Sequence, residues 1–249
     1  LINTPYMGYI YVENVTLALI CLKLLNFPID NSYQYPQIDG RLNKISSNPT
    51  IIIDFAHTPD ALNNLLSVCK NINKENILIF GCGGDRDNSK RFLIAPIVEN
   101  FEETRWIITS DNPRTENPLE ICQQLKNESK YEIIADRKKA IFEGIKSAKE
   151  NNKLLIIAGK GHEQYIIFGK QKYHYNDEDY CNFINKYINK RILLIGNGIS
   201  TNSAQKILSS LTNNIDFYDQ HDIDFYDIII PSPSVPLNHT IYSYSKYII

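Results

Sequence analysis

Four consecutive residues combine an acid, an amide, a fixed bend and a cation: Asp111-Asn112-Pro113-Arg114, within TSDNPRTENP. A carboxylate accepts hydrogen bonds from an ammonium, and a guanidinium grips a carboxylate through two parallel bonds. Proline removes slack between them. That pairing suits recognition of an amino acid, although the spacing alone also fits an Asx turn with a surface arginine. Glu163 in GKGHE offers a second acid and Arg86 in GCGGDRD a second cation. Two acids with two cations suit a ligand carrying more than one zwitterionic end.

Other candidates are less specific. The glycines at 81, 83 and 84 would expose backbone N–H groups to an anion, or serve only a tight turn. They do not form GxxxxGK[ST], so this is no Walker phosphate loop. His57 and His162 are suited to orienting phosphate or ribose, though a lone loop histidine is more often simply satisfied by its neighbours. Late in the chain, Gly196-Asn197-Gly198-Ile199-Ser200 with Asp219 beyond it has part of a dinucleotide fingerprint. Thr201 stands where its third glycine would be, which weakens a nicotinamide-dependent dehydrogenase reading.

These residues need elements to hold them. From Pro49 onward, short β-branched runs alternate with helical ones. TIIIDF, NILIFG, RWIIT, YEIIAD and KLLIIAG read as strands; PDALNNLLSVCKNI, SKRFLIAPIVENF, PLEICQQLKN and RKKAIFEGIKSAKEN read as helices. Continuous apolar strands alternating with helices predict a Rossmann-like, doubly wound, mainly parallel α/β sheet. Ligands collect at the carboxyl ends of such strands, and the four unusual loops all follow strand ends. EQYIIFGKQKYHY reads as a hairpin and DEDYCNFINKYI as a closing helix. Upstream, residues 1–30 contain NVTLALICLKLLNFPID, apolar nearly all round, which predicts a buried helix ending before Pro28. Residues 31–48 read as a linker, 49–188 as the main domain, and 190–249 as a partial second Rossmann-like unit.

Composition excludes several classes. The chain has 249 residues, 43% hydrophobic and 22% charged, with formal net charge −2. No general attraction to nucleic acid or membrane follows from that balance. No apolar run approaches the roughly 20 residues of a membrane helix. The five cysteines are scattered without a CxxC pair, which argues against a zinc site or disulfide framework and fits a reducing compartment. A first residue of Leu1 and a last of Ile249, without a helix end, suggest a piece of a longer protein.

Together, DFAHTPDAL, FGCGGDRDNSKR, TSDNPRTENP and AGKGHEQY resemble the Mur ligases of peptidoglycan synthesis, in order and approximate spacing, over residues from about 40 to 180. The Asp-Asn-Pro-Arg form resembles the branch that adds meso-diaminopimelate to UDP-N-acetylmuramoyl-L-alanyl-D-glutamate. The resemblance implies a cytoplasmic, ATP- and Mg2+-dependent ligase. In it, ATP converts the D-glutamate side-chain carboxylate to an acyl phosphate, which the diaminopimelate amine attacks. By that likeness Arg86, Asp111, Asn112, Pro113, Arg114, Gly159 and Glu163 would touch the amino acid, with Arg114 on its distal carboxylate. Asn14, Arg41, Asp54 and His57 would face the nucleotide. Residues 1–30 resemble the end of the family's central ATPase domain; its phosphate loop, magnesium ligands and modified lysine do not occur in this sequence, so the catalytic residues are unassigned. A non-catalytic binding remnant is the alternative. Residues 191–249 resemble the UDP-binding N-terminus of the D-glutamate-adding branch, with Gly198, Ile199 and Ser200 at the nucleotide and Ser234 in place of the usual glycine.

Overall fold

In the computed structural model, residues 8–29, 37–126, 131–196, 198–217 and 226–236 are described. The chain divides into two units, Leu1–Cys181 and Asn182–Ile249.

The first unit is built on a six-stranded sheet. Its strands are β1 (Asn43–Ser47), β2 (Thr50–Asp54), β3 (Asn76–Phe80), β4 (Thr104–Ile108), β5 (Glu132–Ile133) and β6 (Leu154–Ala158). Their order is β1-β2-β6-β3-β4-β5, parallel throughout except for β1, which runs antiparallel on β2 at one edge. Central strands such as NILIF and LLIIA are buried along their whole length, as expected where helices cover both faces. Ile52, Leu78, Trp106 and Ile156 form the core with Leu62, Leu66 and Cys69 from the helix Pro59–Ile72.

Helix starts follow local chemistry. Helix α1 spans Tyr9–Leu24 and α2 Pro59–Ile72. The Thr58 hydroxyl caps α2 by accepting from the Ala61 N–H at 3.3 Å, and Pro59 occupies its first turn. Asn117 caps α4 (Pro118–Leu125) and Asp136 caps α5 (Arg137–Asn151) in the same way. SKRFLIAPIVENF does not make one helix. A 3₁₀ segment, Asn88–Leu93, precedes α3, Ile94–Glu99. Pro96 lacks an N–H and is tolerated only in the first α-helical turn, so the α segment starts just before it. The hairpin forms as β7 (Tyr165–Phe168) and β8 (Gln171–His174), followed by α6 (Asp177–Tyr187).

Two further expectations change. Residues 43–47, read as linker, form edge strand β1, because their backbone pairs with the otherwise open edge of β2. Helix α1 was expected to be buried, yet Leu17 is 60% and Leu24 76% exposed. Its apolar residues surround the helix, so packing one face, through Gly8 and Tyr11, leaves the others in solvent.

In the second unit, β9 (Ile192–Ile195), α7 (Ile199–Leu208), β10 (Ile215–Phe217) and β11 (Ile228–Pro231) form a parallel sheet of order β10-β9-β11. Leu193, Ile195, Tyr226 and Ile229 are its core.

Candidate functional site

Strands β2, β6, β3 and β4 are adjacent and parallel, so their carboxyl ends open onto one rim. The loops 55–58, 159–163, 81–87 and 109–114 follow those ends in that order. They enclose a cleft of about 540 Å³ lined by His57, Arg86, Asp111, Asn112, Arg114, Gly159 and Glu163, among others. Six of the seven residues expected to bind an amino acid thus meet there. Pro113 is buried behind the wall, where its carbonyl accepts from the Glu116 N–H.

The inner wall is organised by a residue that sequence reading passed over. Lys160 is wholly buried. Its Nζ donates to Asp111 Oδ1 at 3.1 Å, Asn112 Oδ1 at 3.3 Å and Glu163 Oε2 at 2.9 Å. Asn112 Oδ1 also accepts from the Ile167 N–H at 3.0 Å, so its Nδ2 is left to donate to Glu163 Oε2, at 3.0 Å. Both acids are therefore fixed in place before any ligand arrives. Gly159 (φ 106) leaves Asp111 Oδ2 facing open space: a Cβ there would lie 3.1 Å from that oxygen.

Arg114 is the cation on this wall. Its backbone is left-handed (φ 51) and bonded to the hairpin, N–H to Ile167 carbonyl and carbonyl to the Gly169 N–H. Nη1 donates to the Gly84 carbonyl at 2.6 Å and the Asn112 carbonyl at 3.3 Å. Among the described residues no acceptor meets Nε or Nη2, so one edge of the fork stays open. Arg86 is exposed at the mouth.

A second missed residue, Arg91, holds the glycine loop. It is buried and forms a two-pronged pair with Glu116, at 2.7 and 2.9 Å, while donating to the Gln124 Oε1 and the Gly83 carbonyl. The Arg91 hydrogen bonds hold the Glu116 carboxyl below the usual range. Glu116 also accepts from the Asp85 N–H at 2.5 Å. Close approach of 81–84 to 109–114 requires glycine, since a Cβ on Gly81 would sit 1.7 Å from the Thr109 carbonyl oxygen. Cys82 lines the cleft, but burial pushes its thiol up to about 12, so it is no nucleophile at neutral pH.

The residues expected to face a nucleotide separate. Asn14, Arg41 and Asp54 line a second cavity of about 550 Å³ with Tyr11 and Leu65, whereas His57 lines the first. Asp54 is engaged already: its carboxylate accepts from the Leu42 and Ala56 N–H groups, each at 2.7 Å, and from the Tyr11 hydroxyl at 3.2 Å. Burial, then Asp54, raises the Tyr11 phenol above its ordinary value. Asp54 thus ties α1 and the segment before β1 to the end of β2. The Phe55 ring carries the Arg41 guanidinium at 4.9 Å and His57 at 4.7 Å. His57 Nδ1 lies 2.9 Å from the Phe55 carbonyl, which can only accept, so Nδ1 is the donor and Nε2 is left without a partner in that bond.

Among the described residues no three His, Cys, Asp or Glu side chains converge as a metal site, and no helix is long and apolar enough to cross a membrane. In the second unit, Gly198 caps α7 without a side chain, and Ile199 and Ser200 are exposed. Asn197 and Asp219 lie outside the described residues.

Comparison with known proteins places the fold in a family. The family profile described as Mur ligase, glutamate ligase domain, matches residues 40–161. The UDP-N-acetylmuramoyl-L-alanyl-D-glutamate–2,6-diaminopimelate ligase of Haemophilus influenzae strain Rd is 40% identical over 189 residues, covering 72% of this chain and 38% of the relative. The like-named ligase of Buchnera aphidicola subsp. Baizongia pistaciae is 38% identical over 203 residues, 77% of this chain and 39% of the relative. The chain thus spans well under half of the curated relatives it matches. A solved structure of a ligase of that name superposes with TM-score 0.54 at 30% identity, over 73% of this chain and 39% of that one. A folylpolyglutamate synthase from Mycobacterium tuberculosis, with ADP and AMPPCP, shares the fold at TM-score 0.51 and 18% identity, over 64% of this chain and 39% of that one. This chain belongs to the Mur ligase family, whose glutamate ligase domain its residues 40–161 match.

Proposed function

We propose that this chain is the amino-acid-recognising part of an ATP-dependent ligase that adds meso-diaminopimelate to UDP-N-acetylmuramoyl-L-alanyl-D-glutamate. One observation carries the reading: the open edge of the Arg114 guanidinium shares a cleft with two carboxylates held by Lys160. A distal carboxylate on Arg114, with its ammonium on Asp111 and Glu163, accounts for both charges. L-Lysine bound with its ammonium at that wall leaves a partly buried guanidinium unpaired, which disfavours it. The chain's own part is to hold and orient the incoming amine, an entropy-trap role.

In this reading residues 1–30 are the end of the central ATPase domain, the residues before β1 link it onward, the stretch from β1 to residue 188 recognises the amino acid, and 190–249 are a partial UDP-binding unit with Gly198, Ile199 and Ser200 at its nucleotide end. Asn14 and Arg41 in the second cavity, with His57 in the first, would face ATP, which supplies the phosphoryl chemistry when bound, while Asp54 positions the elements that carry them. Mg2+ would be held by groups other than a cluster of these residues, since no three metal-ligating side chains converge among the described ones.

Titration calorimetry on the full chain tests this. Saturable binding of meso-diaminopimelate, with L-lysine at least about tenfold weaker and L-glutamate silent, is the expected result. Preference for glutamate would overturn it in favour of a folate-type role.

A further inference from the structure

We infer that Lys160 is a specificity-determining positioning residue, which tunes the cleft's inner wall to a zwitterionic end of the ligand rather than a bare ammonium. This rests on the reading of the cleft as an amino-acid site. Lys160 is wholly buried, with no surface left for a ligand to meet. It acts through Asp111 and Glu163, whose carboxylates it bonds at 3.1 and 2.9 Å. Arg91 and Arg137, the other buried cations near the wall, are already paired with Glu116 and Asp177.

The inner wall therefore sets two carboxylates, Asp111 and Glu163, against two cations, Lys160 and Arg114. It is balanced. A ligand end carrying both ammonium and carboxylate keeps it balanced, whereas a bare ammonium adds an uncompensated positive charge beside Lys160 and Arg114. Without the Lys160 charge the two acids would outnumber Arg114, and the wall would suit a lone ammonium. Charges a few ångströms apart in a partly buried cleft are screened far less than on an open surface, enough to reorder ligands. Lys160 also has a geometric share: its bond to Asn112 Oδ1 and the Ile167 N–H together set the amide so that Nδ2 meets Glu163.

The test compares meso-diaminopimelate with 1,5-diaminopentane, which has the same carbon spacing without either carboxylate. Both are titrated calorimetrically into the full chain, wild type and Lys160→Met. The expected result is that Lys160→Met binds 1,5-diaminopentane about fivefold to twentyfold more tightly than wild type does, while meso-diaminopimelate does not gain. Adding Glu163→Gln to Lys160→Met should return the preference towards meso-diaminopimelate. If Lys160→Met weakens both ligands by the same factor, or changes neither, Lys160 is scaffolding and the inference is overturned. If the wild type binds neither ligand, the amino-acid reading fails as well. If Lys160→Met lacks the wild-type thermal transition, Glu163→Gln alone carries the test. It should weaken 1,5-diaminopentane more than meso-diaminopimelate, and equal losses overturn the inference.

Discussion

The Arg114 Nη1 donates to the Gly84 carbonyl across 30 residues of sequence, at 2.6 Å. The arginine that offers its open edge to the cleft is thus clamped by the glycine loop on the next strand end. Its guanidinium is preorganised, so little side-chain freedom is lost on binding. Arg114→Ala should therefore weaken meso-diaminopimelate binding by about tenfold to 150-fold, the value of a charge-assisted pair. Arg114→Lys should recover only part, lacking the planar fork. Calorimetry reads both. An unchanged ratio of meso-diaminopimelate to L-lysine affinity would make Arg114 a surface residue.

Gly159→Ala should damage the site more than the fold. The new methyl meets Asp111 Oδ2 at 3.1 Å and must adopt φ 106. A loss of meso-diaminopimelate affinity of at least about tenfold is expected, with about 1–2 kcal/mol of destabilisation from the strained backbone. Affinity equal to wild type would show that the ligand does not approach Asp111 from this side.

The Arg91–Glu116 pair should make stability depend on pH. Arg91 holds the Glu116 carboxyl below its ordinary value. A depressed carboxylate contributes stability that is present above its unfolded pKa and lost as pH falls through the folded one. Glu116→Gln should thus lower Tm at about pH 7, and the gap should be narrower at about pH 3, below the ordinary carboxylate value. Thermal melts at both values check it; a gap equally wide in acid would mean the pair contributes nothing through charge.

Arg137 and Asp177 form a buried ion pair, Nε to Oδ1 at 2.8 Å and Nη2 to Oδ2 at 2.7 Å, which ties the start of α5 to the start of α6. Burial opposes the Arg137 charge, yet Asp177 outweighs it and its pKa lies above the ordinary value. Asp177→Asn leaves that charge buried without its counterion and should cost about 3–5 kcal/mol. Replacing both partners by apolar residues of similar volume should cost less. Urea unfolding measures each; additive losses would argue against a coupled pair.

The sequence by itself determined the elements and the rim. Strand runs such as IIID and LLIIA, and the caps Thr58-Pro59, Asn117-Pro118 and Asp136, act within one or two turns of chain, so their physics is local. The four loops that line the cleft were legible because each follows an apolar run, and strand ends share a rim in any parallel sheet. Tertiary structure decided which charges meet. Lys160 lies 49 positions from Asp111, and Arg91 lies 25 from Glu116. Their pairing follows from the order β2-β6-β3-β4, which sets the 159–163 loop between 55–58 and 81–87. A lysine between two glycines gives no local sign of burial, because lysine is ordinarily solvated and is buried only where distant partners converge on it. The same holds in reverse for α1. Its apolar composition predicted burial, but burial depends on which surfaces the fold brings against it, and here only one face is covered.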